Sequence, residues 1–305
     1  LSPMELRFHT LDVFTQNRFG GNPLAVVHDA DGLDTAAMQR IAAEFNLSET
    51  VFLLKPERDA HSAKARIFTP KSEMMFAGHP TVGTAVLVAE EKMRQFGGGQ
   101  DALVTLELGI GLVRVGVKTS NGGKASYAEF DGPKVPERIE AVPSKEAIAV
   151  AVGLIPAEIG FSNHHPSVFD AGNRFLFVPV GSRAILAKAR ANSIHWRDQL
   201  VSDVGAFLYC AEPEHRGAHY RARMFAPLHG IDEDPATGSA AAALAGVVHH
   251  FDKLPEGVHR RRIEQGYEMG RPSEIDLAIE VEHGRLDGVR IGGYAVRVSE
   301  GVLTV

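Results

Sequence analysis

Two short segments combine small residues with ionisable side chains, and each lies just ahead of an alanine-rich stretch. The first reads Ala-Gly-His-Pro-Thr-Val-Gly at residues 77–83, and the second reads Asp-Glu-Asp-Pro-Ala-Thr-Gly-Ser at residues 232–239. Both patterns predict a turn that leads into the N-terminus of a helix. The unpaired backbone N–H groups there carry partial positive charge and suit a carboxylate or an enolate oxygen. The alternative is ordinary N-capping by Thr81 and Ser239.

Each segment also carries side chains that can exchange or orient protons. His79 is expected at a helix start, where the helix dipole depresses the pKa of the imidazole and favours its neutral form. The alternative is a surface or capping histidine. Asp234 lies in the matching segment, either as a polar site residue or as an acid that satisfies the helix dipole. Asp232 and Glu233 are expected to be solvated loop charges.

Glu49 is the third candidate for acid/base chemistry. It ends the segment Asn-Leu-Ser-Glu at residues 46–49, which forms the hinge between a predicted helix and a predicted strand. Leu47 and Val51 can hold its carboxyl group against apolar walls, which would raise the pKa toward the range for proton transfer. The alternative is an exposed glutamate in a turn.

Hydrophobic periodicity predicts the elements that position these residues. In the first half, Asp34 caps a helix at residues 36–45, strands follow at 50–54 and 66–69, and a second helix occupies 80–91. The second half repeats this order, with strands at 175–180, 206–209 and 220–225 and helices at 183–192 and 240–250. Strands at 275–281 and 289–298 close the chain, and the three arginines at 260–262 are expected on an exposed edge.

Three pairs of landmarks show that the chain repeats itself at about half its length. Asn-Arg-Phe occurs at residues 17–19 and 173–175, Arg-x-Phe-x-Pro at 66–70 and 223–227, and Gly-Thr/Ser-Ala at 83–85 and 238–240. The repeat predicts a mixed α/β (α+β) fold with two pseudo-symmetric lobes and a pocket between them. The expected boundaries are 1–120, completed by C-terminal strands near 287–305, and 125–286.

Composition narrows the class of protein. The chain has 305 residues, a net charge of −6 and 44% hydrophobic residues, which fits two globular domains and gives no electrostatic reason to expect nucleic acid as a partner. No apolar run approaches the roughly 18–20 residues that span a bilayer, and no signal peptide is recognised. The single cysteine, Cys210, excludes an intramolecular disulfide. A cytoplasmic protein that binds a small metabolite, and neither nucleic acid nor membrane, is expected.

Several strings closely resemble the phenazine biosynthesis PhzF family. They are Phe-Gly-Gly-Asn-Pro-Leu-Ala-Val at 19–26, Ser-Glu-Thr at 48–50, Phe-Ala-Gly-His-Pro-Thr-Val-Gly-Thr-Ala at 76–85 and Glu-Asp-Pro-Ala-Thr-Gly-Ser-Ala at 233–240. Gln-Gly at 265–266 and Met-Gly-Arg-Pro-Ser at 269–273 match its C-terminal signature. The resemblance implies a fold similar to diaminopimelate epimerase, with a curved mixed sheet wrapped round a central helix in each lobe. It also implies proton transfer without a cofactor, and a homodimer.

The resemblance further implies roles for single residues. Glu49 is the acid/base group, as in an isomerase that moves a proton between carbons of trans-2,3-dihydro-3-hydroxyanthranilate. His79 and Asp234 are polar partners in catalysis, and Gly78 and Ser239 bind the substrate. The adjoining loop residues Thr237 and Gly238 are also assigned to substrate binding. The physiological substrate stays open.

Other chemistries remain as alternatives or are excluded. Epimerisation of another small acid, or a non-catalytic protein that binds such an acid, would use the same fold. A two-thiol racemase is excluded, because Ala77 and Pro235 occupy the loop positions where such enzymes carry cysteines and Cys210 is expected in a strand as a buried apolar residue. Adjacent histidines at 164–165 and 249–250 point in different directions, so no metal is expected.

Overall fold

The computed structural model describes residues 4–96, 101–200 and 204–305. The chain divides into two compact units: Leu1–Asp131 with Gly292–Val305 form unit 1, and Gly132–Ile291 form unit 2. Within the described ranges, no helix combines the length and the apolar character needed to cross a membrane.

The strands of the described ranges are β1 (Glu5–Val13), β2 (Asn22–Val27), β3 (Glu49–Leu54), β4 (Ala63–Phe68), β5 (Glu73–Met74), β6 (Asp101–Leu108), β7 (Gly111–Lys118), β8 (Ser126–Asp131), β9 (Glu137–Ile139), β10 (Ser167–Asp170), β11 (Arg174–Pro179), β12 (Gly205–Cys210), β13 (Tyr220–Ala226), β14 (Ile231–Asp234), β15 (Gly257–Gln265), β16 (Ser273–Glu282) and β17 (Arg285–Thr304). The α-helices are α1 (Thr35–Phe45), α2 (Gly78–Phe96), α3 (Lys145–Val152), α4 (Arg183–Lys188), α5 (Ser193–Gln199) and α6 (Gly238–Asp252). The predicted mixed α+β class is confirmed.

Unit 1 is a ring of strands around one helix. β1 pairs antiparallel with both β17 and β2, β2 runs parallel to β3, and β3 pairs antiparallel with β4. β4 runs parallel to β6, which continues antiparallel through β7 and β8. Because β8 pairs in turn with β17, the described strands form a closed ring. The central helix α2 contacts β1, β2, β3, β6, β7 and β8 and buries its apolar residues 85–89 there.

Unit 2 wraps a second sheet against α6. β9 and β11 flank β10, β11 runs parallel to β12, and β13 pairs antiparallel with β12 and parallel with β15. α6 is buried throughout residues 240–248, because its small side chains let the strands approach closely. A Cβ atom added to Gly246 would lie 2.5 Å from the ring of Phe169, so a larger residue does not fit at that position.

The internal repeat is visible in the strand register. Thr50 pairs with Phe68 between β3 and β4, and Ala206 pairs with Phe225 between β12 and β13. Arg66 of β4 binds Glu73 through two hydrogen bonds of 2.7 Å. The equivalent arginine of β13, Arg223, binds Glu233 in the same manner. The two units therefore share strand order, register and a conspicuous ion pair.

A second shared device is a glutamate that holds a loop, half-buried in unit 1 and buried in unit 2. Glu107 of β6 accepts hydrogen bonds from the backbone N–H groups of residues 57 and 58, and it lies 2.6 Å from Nδ1 of His61. Glu264 of β15 accepts from the backbone N–H groups of residues 214 and 215, and it lies 2.9 Å from Nδ1 of His215. These bonds, rather than solvent, stabilise both carboxylates, and they lower the pKa of each against the effect of burial.

Two of the three sequence landmarks do not mark equivalent positions. Residues 17–19 lie in the turn between β1 and β2, whereas residues 174 and 175 open β11. Gly83 lies in the second turn of α2, but Gly238 is the first residue of α6. The residue of unit 1 that matches Gly238 is therefore Gly78. Only the Arg-x-Phe-x-Pro landmark corresponds in both sequence and structure.

Some predicted elements were wrong in extent. The helix expected at residues 183–192 ends at Lys188, and Asn192 instead caps α5 by accepting the N–H groups of residues 194 and 195. The arginines at 260–262 belong to β15, which pairs with β16 along its whole length but with β13 only at residues 263–265. In the described part of the chain they therefore lie on an edge, as expected, and Arg260 is exposed. Arg262 is neutralised there by Asp276, with 2.8 Å between Nε and Oδ1.

Candidate active site

Glu49 opens β3 in the interior of unit 1. Helix α1 ends at Asn46, which adopts a left-handed conformation with φ of 50° and turns the chain toward the strand. Glu49 then pairs in register with Leu24 of the parallel strand β2, and only 8% of the residue is exposed. The exposed-turn alternative is therefore wrong.

His79 lies beside Glu49. It is the second residue of α2 and is 4% exposed, and its Nε2 atom lies 3.3 Å from Oε2 of Glu49. Burial lowers the pKa of His79 to about 3, because a protonated imidazole would lose its hydration. The lowered pKa agrees with the expected neutral form, and burial is its cause.

The Glu49–His79 pair has the parts of an acid/base site. A carboxyl group that is nearly excluded from water touches a neutral imidazole, which can act as donor or acceptor depending on its tautomer. A proton taken up by Glu49 can therefore be shared with the neighbouring imidazole of His79. This sharing does not place two like charges side by side in the interior.

The start of α2 is not capped as expected. Thr81 donates its hydroxyl to the carbonyl of Ala77 at 2.7 Å, so it does not accept a hydrogen bond as an N-cap would. Gly78 is the first residue of the helix, which places its N–H among the first four of the helix, the groups without an intrahelical partner.

In unit 2, Asp234 and Thr237 form a compact pair ahead of α6. The Thr237 hydroxyl lies 2.5 Å from Oδ2 of Asp234, and the two residues are 6% and 7% exposed. Thr237 is the N-cap residue of α6, but its side chain makes no capping hydrogen bond. Its hydroxyl therefore serves the aspartate.

Gln265, the last residue of β15, fixes this pair from behind. The N–H of Thr237 donates to Oε1 of Gln265 at 3.1 Å, and Nε2 of Gln265 donates to the Asp234 carbonyl at 2.8 Å. An N–H can only donate and a carbonyl can only accept, so these two partners determine which end of the carboxamide is which. Gln265 is completely buried, and the orientation is therefore locked.

This orientation sets the direction of the remaining hydrogen bonds. Nε2 of Gln265 also lies 2.9 Å from the Thr237 hydroxyl, and since Nε2 can only donate, that hydroxyl must accept. Its own hydrogen then points to Oδ2 of Asp234. The structure thus identifies Oδ2 of Asp234 as the acceptor of the Thr237 hydroxyl.

Gly266 makes the approach of Gln265 possible. Its φ of +78° lies in the left-handed region, and an added Cβ atom would lie 2.5 Å from the carbonyl oxygen of Pro235 and 2.4 Å from that of Arg271. Only glycine accommodates both the conformation and the contact. The sequence showed Gln265 and Gly266 as part of a family signature, but it gave them no role.

The other predicted residues of the second loop take different positions. Gly238 is buried at the first position of α6, and Ser239 follows it with its side chain half-buried. Asp232 is exposed, as expected. Glu233 is not a solvated charge, since both of its carboxylate oxygens accept hydrogen bonds from Arg223 at 2.8 Å.

The register shows where the two units differ in reactive groups. Leu24 pairs with Glu49 between the parallel strands of unit 1, and Phe175 pairs with Gly205 between those of unit 2. Gly205 carries no side chain, so unit 2 has no second glutamate at the position that matches Glu49. Counting from the two helix starts, His79 likewise corresponds to Ser239.

One group in the described part of the chain has the composition of a metal site. Ligand atoms of His9, His28 and Glu91 lie within 4.8 Å of one another, and burial lowers the pKa of both imidazoles to about 4, which leaves them neutral as ligands. Arg7 opposes a cation there, because its guanidinium lies 3.1 Å from Glu91 and 3.4 Å from Nδ1 of His28. The carboxylate charge is thus already neutralised.

Two other groups noted in the sequence are structural. His164 is buried between the Tyr209 hydroxyl at 2.8 Å and Asp252 at 2.9 Å. Cys210 is buried in β12, and burial raises the pKa of its thiol to about 11. A thiol with that pKa stays protonated and unreactive at neutral pH.

Known proteins resemble this chain over nearly its whole length. The family model described as phenazine biosynthesis-like protein matches residues 11–301. An uncharacterized isomerase of Mesorhizobium japonicum is 45% identical, with 99% of this chain and 100% of that protein covered. The trans-2,3-dihydro-3-hydroxyanthranilate isomerase of Pseudomonas aeruginosa is 34% identical, over 97% of this chain and 98% of that protein.

Solved structures support the same assignment. The crystal structure of a PhzF-family phenazine biosynthesis protein from Bacillus anthracis has a TM-score of 0.88 and 26% identity, and it covers 99% of this chain and 100% of its own. A predicted epimerase from Pseudomonas aeruginosa has a TM-score of 0.78 and 32% identity, over 98% and 99% of the two chains. The fold, the motifs and these relatives agree: the chain belongs to the phenazine biosynthesis-like protein family of isomerases.

Proposed function

We propose that this protein moves a proton between two carbon atoms of a small carboxylated metabolite, without a cofactor. The observation that carries the proposal is the buried contact between Glu49 and His79, 3.3 Å apart. The similarity to trans-2,3-dihydro-3-hydroxyanthranilate isomerase, at 34% identity, supports this type of reaction. We expect a chemically related substrate. In such a compound, the proton that moves is bound to a carbon next to an unsaturated or carboxyl-bearing system.

Glu49 is proposed to remove the proton and to return it at a second carbon. Its burial reduces competition from water, so the carboxyl group exchanges protons with the substrate in preference to solvent. His79, neutral because of its low pKa, would orient the carboxyl group and share the proton during transfer. Such a general acid/base group typically contributes about 10²–10⁴-fold to the rate.

The loop of unit 2 is proposed to bind polar groups of a substrate. Asp234 and Ser239 would act there with the N–H groups at the start of α6, and Gly78 would supply a backbone donor at the start of α2. The order of motifs in the family supports these assignments. A homodimer and a cytoplasmic location are part of the same proposal.

The unequal distribution of reactive groups favours relocation of a proton over inversion of one carbon. Epimerases of the two-base type need a base for each face of the carbon. Unit 1 carries Glu49, but the matching residue in unit 2 is Gly205, which has no side chain. This asymmetry is explained more simply by a single base that removes the proton from one carbon and delivers it to another.

The test combines turnover with solvent-deuterium exchange. The protein is incubated in D₂O with trans-2,3-dihydro-3-hydroxyanthranilate and with a panel of carboxylated metabolites, and products are identified by NMR. Relocation of a double bond with deuterium at a new carbon supports the proposal. Deuterium at an inverted carbon would indicate an epimerase, and binding without exchange would indicate a non-catalytic binding protein.

Glu49→Gln tests the residue assignment. It keeps size and hydrogen-bonding capacity but cannot carry the proton, so kcat is expected to fall about 10²–10⁴-fold. Glu44→Gln, on the exposed face of α1, is the matched control and should retain full turnover. Full activity of Glu49→Gln would overturn the assignment.

A further inference from the structure

The strand connection that follows Glu107 or Glu264 differs in length between the two units. In unit 1, residues 109–110 join β6 to β7 in a tight turn. In unit 2, the longer segment 266–272 joins β15 to β16. The longer connection reaches a neighbouring strand that the tight turn does not cover.

In unit 2, this connection packs on Arg221 of β13. The guanidinium carbon lies 3.6 Å from the centre of the Tyr267 ring, and Nε and Nη2 donate to Oε1 of Glu268 at 3.3 and 3.1 Å. Carboxylate oxygens of Glu264 and Glu214 lie 3.3 and 3.6 Å from Nη1. Only 5% of Arg221 is exposed. A ring and carboxylates of the chain itself thus enclose this cation.

Lys64 of β4 is the counterpart of Arg221 in unit 1. Lys64 pairs in register with Glu107 of the parallel strand β6. Arg221 pairs in the same way with Glu264 of the parallel strand β15. Lys64 keeps one carboxylate, since its Nζ atom lies 2.6 Å from Oε1 of Glu57. Its side chain is nevertheless 37% exposed, so a ligand in solution can reach the ammonium group.

The ring and the carboxylate that the connection supplies in unit 2 have no counterpart in unit 1. Counted from the two glutamates, Tyr267 and Glu268 correspond to Ile110 and Gly111, which carry neither group. A pocket of about 600 Å³ lies beside Lys64 instead, a size typical of small-molecule sites. Its larger apolar lining residues are Leu54, Met74, Leu108 and Leu112.

The pocket is separate from the proton-transfer pair. Neither Glu49 nor His79 lines it. Leu54, its residue on β3, ends the strand that Glu49 opens. The two residues are therefore roughly 16 Å apart along a strand that rises about 3.3 Å per residue.

The arginine, lysine and glutamate charges of the lining balance. Arg58, Lys64 and Arg66 stand beside three glutamates and His61. Lys64 and Arg66 are each paired with a glutamate, and the third glutamate accepts the backbone N–H groups of residues 57 and 58. Arg58 is exposed and makes no ion pair within the described ranges, and its neighbour Asp59 does not line the pocket. A ligand with one negative charge therefore suits the pocket better than a dianion.

We propose that this pocket binds a small aromatic carboxylate. The ring would lie between the apolar side chains and Lys64, as Tyr267 lies over Arg221, and the carboxylate would accept hydrogen bonds from Lys64 and Arg58. Glu57 does not prevent this, because 71% of its side chain is exposed and an exposed ion pair contributes little. The site uses none of the residues assigned to proton transfer.

Calorimetric titration of the whole protein with three related probes tests the chemical class. Phenylacetate has both the ring and the charge, cyclohexylacetate lacks the aromatic ring, and 2-phenylethanol lacks the charge. Phenylacetate should bind saturably, about tenfold more tightly than 2-phenylethanol and about threefold more tightly than cyclohexylacetate. No saturable binding of phenylacetate, or an affinity equal to that of either other probe, would overturn the proposal.

Variants connect the binding to the pocket. Lys64→Gln removes the charge, and Leu112→Trp fills the pocket from an exposed position that tolerates a larger side chain. Each is expected to weaken phenylacetate binding about tenfold. Lys118→Gln, at the opposite end of β7 and also exposed, is the matched control and should bind as the parent does. Unchanged affinity in both pocket variants would contradict the assignment.

Glu49→Gln separates this pocket from the proton-transfer site. It should bind phenylacetate as the parent does, since Glu49 does not line the pocket. Loss of binding in Glu49→Gln, together with full binding in Lys64→Gln and Leu112→Trp, would place the acid at the proton-transfer pair and refute the proposal.

Discussion

Gln265 and Thr237 are joined by two hydrogen bonds of opposite direction. The backbone N–H of Thr237 donates to the Gln265 side chain at 3.1 Å, and the Gln265 side chain donates to the Thr237 hydroxyl at 2.9 Å. Together they force the hydroxyl to point at Asp234. Gln265 is not itself proposed to react. It nevertheless determines that the Thr237 hydroxyl donates to Asp234, a residue that is proposed to take part in catalysis.

Replacing Gln265 with leucine should destabilise the protein and reduce its activity. The change removes the hydrogen bonds that Gln265 makes to the N–H of Thr237 and to the carbonyl of Asp234, at about 1–3 kcal/mol for each buried group affected. Urea unfolding measures this loss. The Thr237 hydroxyl is then free to rotate, so the Asp234 oxygen can take up a proton.

The pH profile separates this positioning effect from simple destabilisation. In Gln265→Leu, the acid limb of kcat/KM is expected to move to higher pH, because Asp234 loses a fixed donor that favours its ionised form. Gln265→Glu restores the acceptor for the Thr237 N–H but, when ionised, cannot donate to the Asp234 carbonyl. It should therefore recover only part of the stability. A profile of unchanged shape in both variants would refute the positioning role.

Gly266→Ala should be far more damaging than Gly284→Ala. Both glycines have similar φ angles, +78° and +71°, so the intrinsic strain of an added side chain is the same. At Gly266, however, the Cβ atom would lie 2.4–2.5 Å from two backbone carbonyls, whereas nothing lies within 4 Å at Gly284. Gly284→Ala is expected to cost about 1–2 kcal/mol.

Gly266→Ala is expected to exceed that cost and to displace the Asp234 loop. Thermal unfolding gives the comparison of stabilities, and turnover reports the loop. Equal melting temperatures for the two variants would show that the loop moves aside without cost. Gly284→Ala, in the turn before β17, should retain full kcat.

His79 should make the protein sensitive to acid. Its pKa of about 3 in the folded state lies below the value near 6.5 in the unfolded chain. The unfolded state therefore binds more protons between pH 6.5 and 3, and the free energy of unfolding falls as the pH falls through that window. The limiting slope for one such group is about 1.4 kcal/mol per pH unit.

His79→Gln should flatten this dependence below pH 6.5, as measured by denaturant unfolding at pH 7 and pH 5. His9 and His28, with pKa values of about 4, act in the same direction and leave a residual slope. His195→Gln, at an exposed position of α5, is the control and should follow the parent. The same slope in His79→Gln and the parent would show that His79 is protonated in the folded state.

Local signals in the sequence were enough for much of the fold. Asp34 caps α1 as predicted, by accepting the N–H of Ala37 at 2.7 Å. The alternation of apolar residues located most strands, because a strand with one buried face has that pattern wherever it pairs. The polar run at 260–262 concealed β15, since the partner of Arg262, Asp276, lies on the next strand.

Long-range partners were beyond the sequence. Nothing local shows that Glu49 is buried, because its burial depends on the strand beside it and on the helix that carries His79. The carboxamide of Gln265 reaches a loop 28 residues earlier in the chain. Both Asn-Arg-Phe copies lie at the turn of a hairpin, β1–β2 in unit 1 and β10–β11 in unit 2, but at different distances from the strand that follows.

The glutamates Glu107 and Glu264 hold their loops in the same way in both units, although the reactive residues around them differ. This is the pattern expected after duplication of an ancestral gene, in which both copies inherited one anchoring device and then diverged where chemistry occurs. Selection on catalysis and selection on folding thus act on separate positions. Replacing a reactive residue in one half need not disturb the glutamate that holds the loop of that half. The fold is therefore a tolerant scaffold for new proton-transfer reactions.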